Sequence, residues 1–379
     1  MNPRGSYAMT ATISVFIPVY RESELLETTL ERLVNDEYES KEIFVIIDEP
    51  TEGSLELSKK FQRNIHFILH EERVGKANAL NEAVERSTGS ILLFLDGDVT
   101  PPDDPRFLSK VANEMMDTDI LDLKKEVVGD SLIAKIAYYE YLGFNVGSWL
   151  ASKTLGRCPS INGAAFAIRR EVFKELGGFR RVVSEDLDLA TRAFLGGYRH
   201  KYTKNVFVYN RVHHSWNAWF RQRRRWALGL TLWLKDYYRE LLSSVKRHFR
   251  VFIPALILLF PSLVAIILGM FIPDFFIEKM LSFSLLLLAA WMEPAFSIPI
   301  LIPIWGEVDV IKGAFCSILA FSIFCMLFYY FSSKLGFKFR IHEFFLYYFF
   351  YSTLYLMIII STVIRVLILH REVDVDWKV

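Results

Sequence analysis

Ile91-Leu92-Leu93-Phe94-Leu95-Asp96-Gly97-Asp98 reads as a buried strand that ends at two carboxylates. A short apolar run that stops at a polar turn has the length of a strand covered on both faces. Outward from it, Ile13 to Val19, Ile43 to Ile47 and Ile65 to Leu69 are similar short apolar runs. Between them, residues 22–34, 54–63 and 76–86 carry helical patterns, as in Leu25, Leu26, Leu30, Leu33 and Val34. Strands alternating with helices predict an α/β fold with a mostly parallel sheet. Ligands on such sheets gather beyond the carboxyl ends of the strands, so the polar residues after each strand are the first candidates for a site.

Asp96 and Asp98, one residue apart at a strand end, can share a divalent cation. Hard cations take oxygen ligands and keep positions open for phosphate. Asp-Gly-Asp is also a common turn, and it is the preceding strand that favours a site. Asp48-Glu49 follows the second strand. A carboxylate there can accept from a nucleobase N–H or a ribose hydroxyl, or can be solvated in the turn before Pro50. Arg73-Val74-Gly75-Lys76 opens a helix after the third strand. Its glycine allows close backbone approach, and its cations and helix N-terminus suit an anionic diphosphate. Ser184-Glu185-Asp186 heads a helix over 185–195. Taken alone this is an N-cap with an acidic first turn, yet Asp186 is also a candidate general base for a hydroxyl acceptor. Gln222, Arg225 and Trp226 share a helix face at i, i+3 and i+4. A guanidinium there can stabilise a departing diphosphate, and an indole can floor an acceptor sugar. His213 and His214 are adjacent, about 100° apart on a helix, which argues against a metal site.

The chain has 379 residues, 52% of them hydrophobic and 15% aromatic, with a net charge of +1. Near-neutral charge implies no nucleic-acid partner. Cys158, Cys316 and Cys325 show no disulfide pattern and fit a reducing face. Residues 1–12 lack the apolar core of a signal peptide. Four apolar stretches, 251–272, 281–304, 311–331 and 344–369, are each long enough to cross a ~30 Å hydrocarbon core. The second holds Glu293, Pro294, Pro299 and Pro303 and reads as a span or as a re-entrant segment. Lys246, Arg247 and Arg250 precede the first stretch and predict a cytoplasmic catalytic domain on a multi-pass protein of the cell membrane. Lys334, Lys338 and Arg340 would then lie outside if all four stretches span, and a re-entrant second stretch removes that conflict. Trp219, Trp226 and Trp233 recur every seven residues beside Arg221 and Arg223 to Arg225. That composition predicts a helix at a membrane interface, contacting lipid, or else tryptophans packed under the catalytic domain. The expected division is a catalytic domain at 8–210, an amphipathic interfacial segment at 211–250, a membrane domain at 251–369 and a tail at 370–379.

In order, Asp48, Arg73-x-Gly-Lys76, Asp96-x-Asp98, Asn162-Gly163-Ala164, Glu185-Asp186 and Gln222-x-x-Arg225-Trp226 resemble the family 2 glycosyltransferases. More closely they resemble the cellulose synthase and hyaluronan synthase branch, over residues 12–235. The resemblance implies a GT-A fold, which is Rossmann-like, a UDP- or GDP-sugar donor, a Mn²⁺ or Mg²⁺ ion and an inverting mechanism. It places Asp48 and Glu49 at the nucleoside and Arg73 and Lys76 near the diphosphate. Asp98 and Asp96 hold the metal, Asp96 also lying at the diphosphate. Asp186 becomes the base. Gln222, Arg225 and Trp226 face the diphosphate and acceptor, with Asn162, Gly163 and Glu185 on the acceptor side. The chain departs from the branch in Asp48-Glu49 where two aspartates are usual and in Ser184 where threonine is usual. No span is read ahead of the catalytic domain, and the membrane part is small for an export channel. The expected acceptor is a glycolipid or lipid-linked saccharide. The alternatives are a processive polysaccharide synthase, a polyprenyl-phosphate glycosyltransferase and, remotely, a non-enzymatic transporter or scaffold with a nucleotide-sensing domain.

Overall fold

The structure is a computed structural model and describes residues 11–212, 215–249, 262–274, 277, 279–280, 283–284 and 308–371. Its strands are β1 (Ile13–Tyr20), β2 (Lys41–Asp48), β3 (His66–His70), β4 (Ile91–Leu95), β5 (Val99–Thr100), β6 (Ile120–Val128), β7 (Ala165–Arg169) and β8 (His200–Arg211). Among the described residues they form one eight-stranded sheet, in the order β3-β2-β1-β4-β7-β6-β8-β5. β1 to β4 pair in parallel. β7 runs antiparallel between β4 and β6, and β8 returns parallel to β6.

The parallel half is the α/β pattern expected from the sequence. Helices α1 (Leu26–Val34), α2 (Glu52–Phe61) and α3 (Lys76–Arg86) link its strands. Alternate residues of each strand enter opposite layers of core, as the two-residue repeat of a strand requires. Val15, Ile17, Leu93 and Leu95 pack with Leu30 and Leu33 on one side. Phe16, Phe44 and Phe94 pack with Leu80 on the other. There Phe16 stacks on Phe44 and Phe94 at 5.5 and 5.2 Å between ring centroids. Burial on both faces fixes the register, which sets Tyr20 beside Asp48 and Asp48 beside His70 at the carboxyl edge.

The antiparallel half was not legible in the sequence. β6 carries Asp122, Lys124 and Lys125, all buried, and they break the apolar signature of a strand. Lys125 pairs with Asp122. Helix α4 (Phe107–Glu114) precedes β6, and α5 (Leu132–Leu155) packs against it. From α5, Ser148 donates to Asp122 at 2.5 Å, and Asn145 bridges the Lys125 N–H and C=O at 3.1 and 3.0 Å. Then come α6 (Arg170–Glu175), α7 (Glu185–Gly196) and α8 (Trp216–Arg247). Trp219, Trp226 and Trp233 of α8 turn toward protein. Trp219 is 1% exposed. Trp226 meets Phe144 edge-on, and Trp233 donates to Thr191 at 2.7 Å. Of the two readings of this stripe, packing under the catalytic domain is the one these contacts support. Trp216, Phe220, Tyr238 and Leu242 are the exposed apolar side chains of the helix.

The described residues up to Phe249, with those from Tyr355 on, form one compact unit, and those from Ser262 to Leu354 form a second. The second contains α9 (Ser262–Phe271) and α10 (Val308–Leu335), and Lys312 pairs with Asp274 at 2.5 Å. Among the described residues, two helices, Val310–Leu335 and Ile341–Ile368, are long and apolar enough to cross a membrane. Only 17% and 22% of their apolar windows are buried, unlike a core helix of a soluble domain. The expected stretches 311–331 and 344–369 correspond to these helices. Of 251–272, only the part from Ser262 is described. Stretch 281–304 lies outside the described residues except at 283–284, as do the tail from 372 and His213 and His214.

His200 of β8 is buried at 4% exposure, 3.4 Å from Ser148 through Nε2. Burial lowers it from 6.5 to about 4. The unfolded chain therefore gains a proton near pH 6.5 that the folded chain refuses until about 4. Stability is full above that window and falls as pH drops through it, by on the order of 3 kcal/mol. Thermal unfolding followed by tryptophan fluorescence at stepped pH checks this, and His200→Asn is expected to lack that part of the pH dependence.

Candidate active site

The Asp96-Gly97-Asp98 turn is fixed from four directions. Asp96 N–H donates to Ala164 O at 2.9 Å, and Val99 N–H closes the turn on Asp96 O at 3.2 Å. Arg211 N–H donates to Asp98 O at 2.9 Å. Ser23 donates its hydroxyl to Gly97 O. Asp98 is itself exposed, between half-buried Gly97 and buried Val99. Partial desolvation, then the charge of Asp96, pushes it up to about 7. Lys76, the first residue of α3, lies 2.7 Å from Asp96 and 2.9 Å from Glu185. Burial disfavours its charge, but Asp96, Glu185 and Asp186 outweigh that and hold it protonated. Burial likewise lowers Arg225, against the pull of Glu185, Asp96, Asp186 and Asp98. Residues far apart in sequence thus meet in one charge cluster.

Asp186 stands in the first turn of α7. Its Oδ2 accepts from Gly163 N–H at 2.9 Å and its Oδ1 from Leu187 N–H at 2.8 Å. Burial, then Glu185, raises it to about 6, a suitable value for a base near neutrality. Ser184 occupies the N-cap position but makes no side-chain cap hydrogen bond. Its hydroxyl instead lies under α8, where a Cβ on Gly229 would fall 1.9 Å from it. Asn162 shapes the same loop as Gly163 by accepting from Ala164 N–H at 3.0 Å.

Asp48, expected at the nucleoside, has work inside the protein. Its Oδ2 accepts from Val74 and Gly75 N–H at 3.1 and 3.0 Å, and its Oδ1 lies 2.9 Å from His70 Nδ1. His70 Nε2 lies 2.9 Å from Glu82. Asp48 therefore ties the Arg73–Lys76 loop to the sheet. Glu49 accepts from the Tyr20 hydroxyl at 3.0 Å and lies 3.6 Å from Arg21. Arg73 stacks over the Tyr20 ring at 4.4 Å. Arg21 and Glu49 both leave their strands with left-handed φ, +65° and +53°, a conformation uncommon for non-glycine residues. Tyr20, Arg21 and His70 were not singled out in the sequence, although each ends or follows an apolar strand.

Gln222, Arg225 and Trp226 separate in role. Arg225 joins the charge cluster. Gln222 accepts from Arg223 at 2.7 Å, and the Arg223 guanidinium lies 4.1 Å from the Trp226 ring centroid. Arg223 is buried, paired with Glu140 of α5, and flanked by Trp219 and Tyr355 at 5.5 Å each. It was read only as part of a basic run. Its role depends on Glu140 and Tyr355, which no local motif announces. Among the described residues no three His, Cys, Asp or Glu side chains are placed to hold a metal. The donors at Asp96 and Asp98 are hard oxygens, which suit Mg²⁺ or Mn²⁺ completed by phosphate and water.

Gly163 does not have a positive φ, so alanine fits its backbone. A Cβ there would fall 2.6 Å from Asp186 Oδ2. Gly163→Ala is expected to displace the carboxylate and lower turnover about 10-fold or more, with donor affinity kept. Steady-state assay of nucleoside diphosphate release, with donor titration, measures both.

Residues 14–177 match the family described as Glycosyl transferase family 2, a region that takes in Asp48, Lys76, Asp96, Asp98 and Gly163. The chain is 29% identical over 269 residues to the poly-beta-1,6-N-acetyl-D-glucosamine synthase of Staphylococcus aureus (strain COL), covering 67% of this chain and 62% of that protein. It is 27% identical over 242 residues to the synthase of the same name from Staphylococcus epidermidis, covering 60% and 56%. The chain thus spans less than two thirds of the length of these relatives. Among solved structures it is similar to the mannosyltransferase PcManGT from Pyrobaculum calidifontis in complex with GDP-Man and Mn²⁺, with 24% identity, 61% and 66% coverage and a TM-score of 0.49. Residues 14–177 thus carry a glycosyl transferase family 2 domain, built on a mixed, mostly parallel sheet.

Proposed function

We propose that the enzyme moves a sugar from a nucleoside-diphosphate sugar to a hydroxyl of a membrane-associated acceptor, a glycolipid or a lipid-linked saccharide, with inversion and with metal assistance. The observation that carries this reading is Asp186, raised to about 6, held by the Gly163 amide beside Lys76 and Arg225. Asp186 takes the acceptor proton as the hydroxyl oxygen attacks the anomeric carbon. The bond to the diphosphate breaks on the opposite side, and Lys76 and Arg225 take up the charge that develops there. Asp98 and Asp96 would hold the divalent ion, whose chemistry is to neutralise the diphosphate. Arg73 and the N-terminus of α3 favour the same anion.

A base of this kind is useful for a hydroxyl and of little use for a polyprenyl phosphate, which is already anionic. The two long apolar helices favour an acceptor drawn from the membrane. Lys246 and Arg247 support a cytoplasmic catalytic domain. A second reading, repeated addition to a growing polysaccharide, is favoured by the similarity to polysaccharide synthases over 67% of the chain.

Asp186→Asn is expected to lower turnover by about 10²-fold while donor affinity stays within a few-fold. In the unsubstituted enzyme, turnover should fall as pH drops below about 6, because protonated Asp186 accepts no proton. Diphosphate release measured across pH tests both, and a parallel collapse of donor affinity would make Asp186 a donor-binding residue. For the acceptor, radiolabelled donor is supplied to purified protein in defined lipid and the products are extracted with organic solvent. Label in a short glycolipid, reduced by Trp226→Ala, is the expected result. Label in a long water-soluble polymer made without added lipid acceptor would favour the second reading.

A further inference from the structure

β8 reaches the Asp-Gly-Asp turn twice. Its backbone does so through Arg211 N–H, which holds the Asp98 carbonyl at 2.9 Å. Its side chains do so through Asn210, whose Nδ2 donates to Asp98 Oδ1 at 3.3 Å. Asn210 is 0% exposed. It is set across from Val99 on one neighbouring strand and Val127 on the other, and both are buried. A valine would suit that position on burial alone. The amide instead makes its one side-chain hydrogen bond, among the described residues, to Asp98, and its Oδ1 is buried without a partner. A buried amide left half satisfied calls for a functional explanation, because burial selects against such groups.

We infer that Asn210 is the positioning residue for Asp98, fixing the rotation of its carboxylate so that the other oxygen is presented to a divalent cation. This rests on the reading of Asp98 as a metal ligand. Groups that orient a ligand in this way typically set its metal affinity by about 10- to 100-fold. No local motif points to Asn210, since it lies inside a strand more than a hundred residues from Asp98.

The test uses the full chain in detergent, with Asn210→Val, Asn210→Ser and Asp98→Ala. Binding of Mn²⁺ in the presence of UDP, and separately of GDP, is followed by electron paramagnetic resonance of the free ion. Turnover gives the Mn²⁺ concentration for half-maximal activity and the donor KM at saturating Mn²⁺. For Asn210→Val, Mn²⁺ binding should weaken by about 10-fold or more. Donor KM should stay within roughly threefold and the melting temperature should not fall. A merely structural role would lower the melting temperature and leave Mn²⁺ affinity alone. Wild-type Mn²⁺ affinity in Asn210→Val, with loss in Asp98→Ala, overturns the role of Asn210 and leaves the metal reading standing. Wild-type Mn²⁺ affinity in Asp98→Ala overturns the metal reading and the inference with it. If Asn210→Val does not fold, the same measurements on Asn210→Ser decide.

Discussion

One ammonium group organises the site. Lys76 sits between Asp96 and Glu185, and so joins the end of β4, the start of α3 and the start of α7. Like charges about 4 Å apart repel by roughly 4 kcal/mol at an effective dielectric of about 20. Carboxylates gathered without cations would therefore spread apart or take up protons. Lys76 and Arg225 let them remain together, although burial, and after it the neighbouring carboxylate, still raises Asp98 and Asp186, so that the compensation there is incomplete. The incomplete places are where a cation and an acceptor proton are proposed to go.

What the sequence disclosed follows from this geometry. β1 to β4 were legible because burial on both faces makes them uninterrupted apolar runs. Asp48, Asp96 and Asp98 were legible because they follow those runs directly, and Lys76 and Asp186 because they open helices. β6 was hidden by Asp122, Lys124 and Lys125; Asp122 and Lys125 find partners on α5, 26 and 20 residues away, which cannot be inferred from a window. Asp48 shows the intermediate case. Its position was legible, but its bonds to the Val74 and Gly75 amides are not what a nucleoside ligand would suggest. Arg223, Glu140 and Asn210 act through partners distant in the chain, and nothing in their neighbours signals it.

The tryptophan stripe of α8 shows a second limit. A heptad of indoles beside arginines has the composition of a membrane-surface helix. Here the indoles turn inward, and Arg223 is wrapped by Trp219, Trp226 and Tyr355 while it pairs with Glu140. A buried ion pair adds little net stability but penalises any arrangement that separates its partners. Its value here is geometric, because it sets where Gln222 and Trp226 stand relative to the charge cluster.

The notch at Gly229 carries a related consequence. Arg225 lies one helical turn before Gly229, on the same side of α8. The absent side chain lets that side seat directly on the Ser184 hydroxyl, at the threshold of α7. The notch works as a keyway: it sets the angular phase of a 32-residue rod. The guanidinium one turn along is thereby carried to the side of the helix where Glu185, Asp96, Asp186 and Asp98 act on it. The placing of the proposed leaving-group cation beside the proposed base thus turns on the width of one missing methyl group.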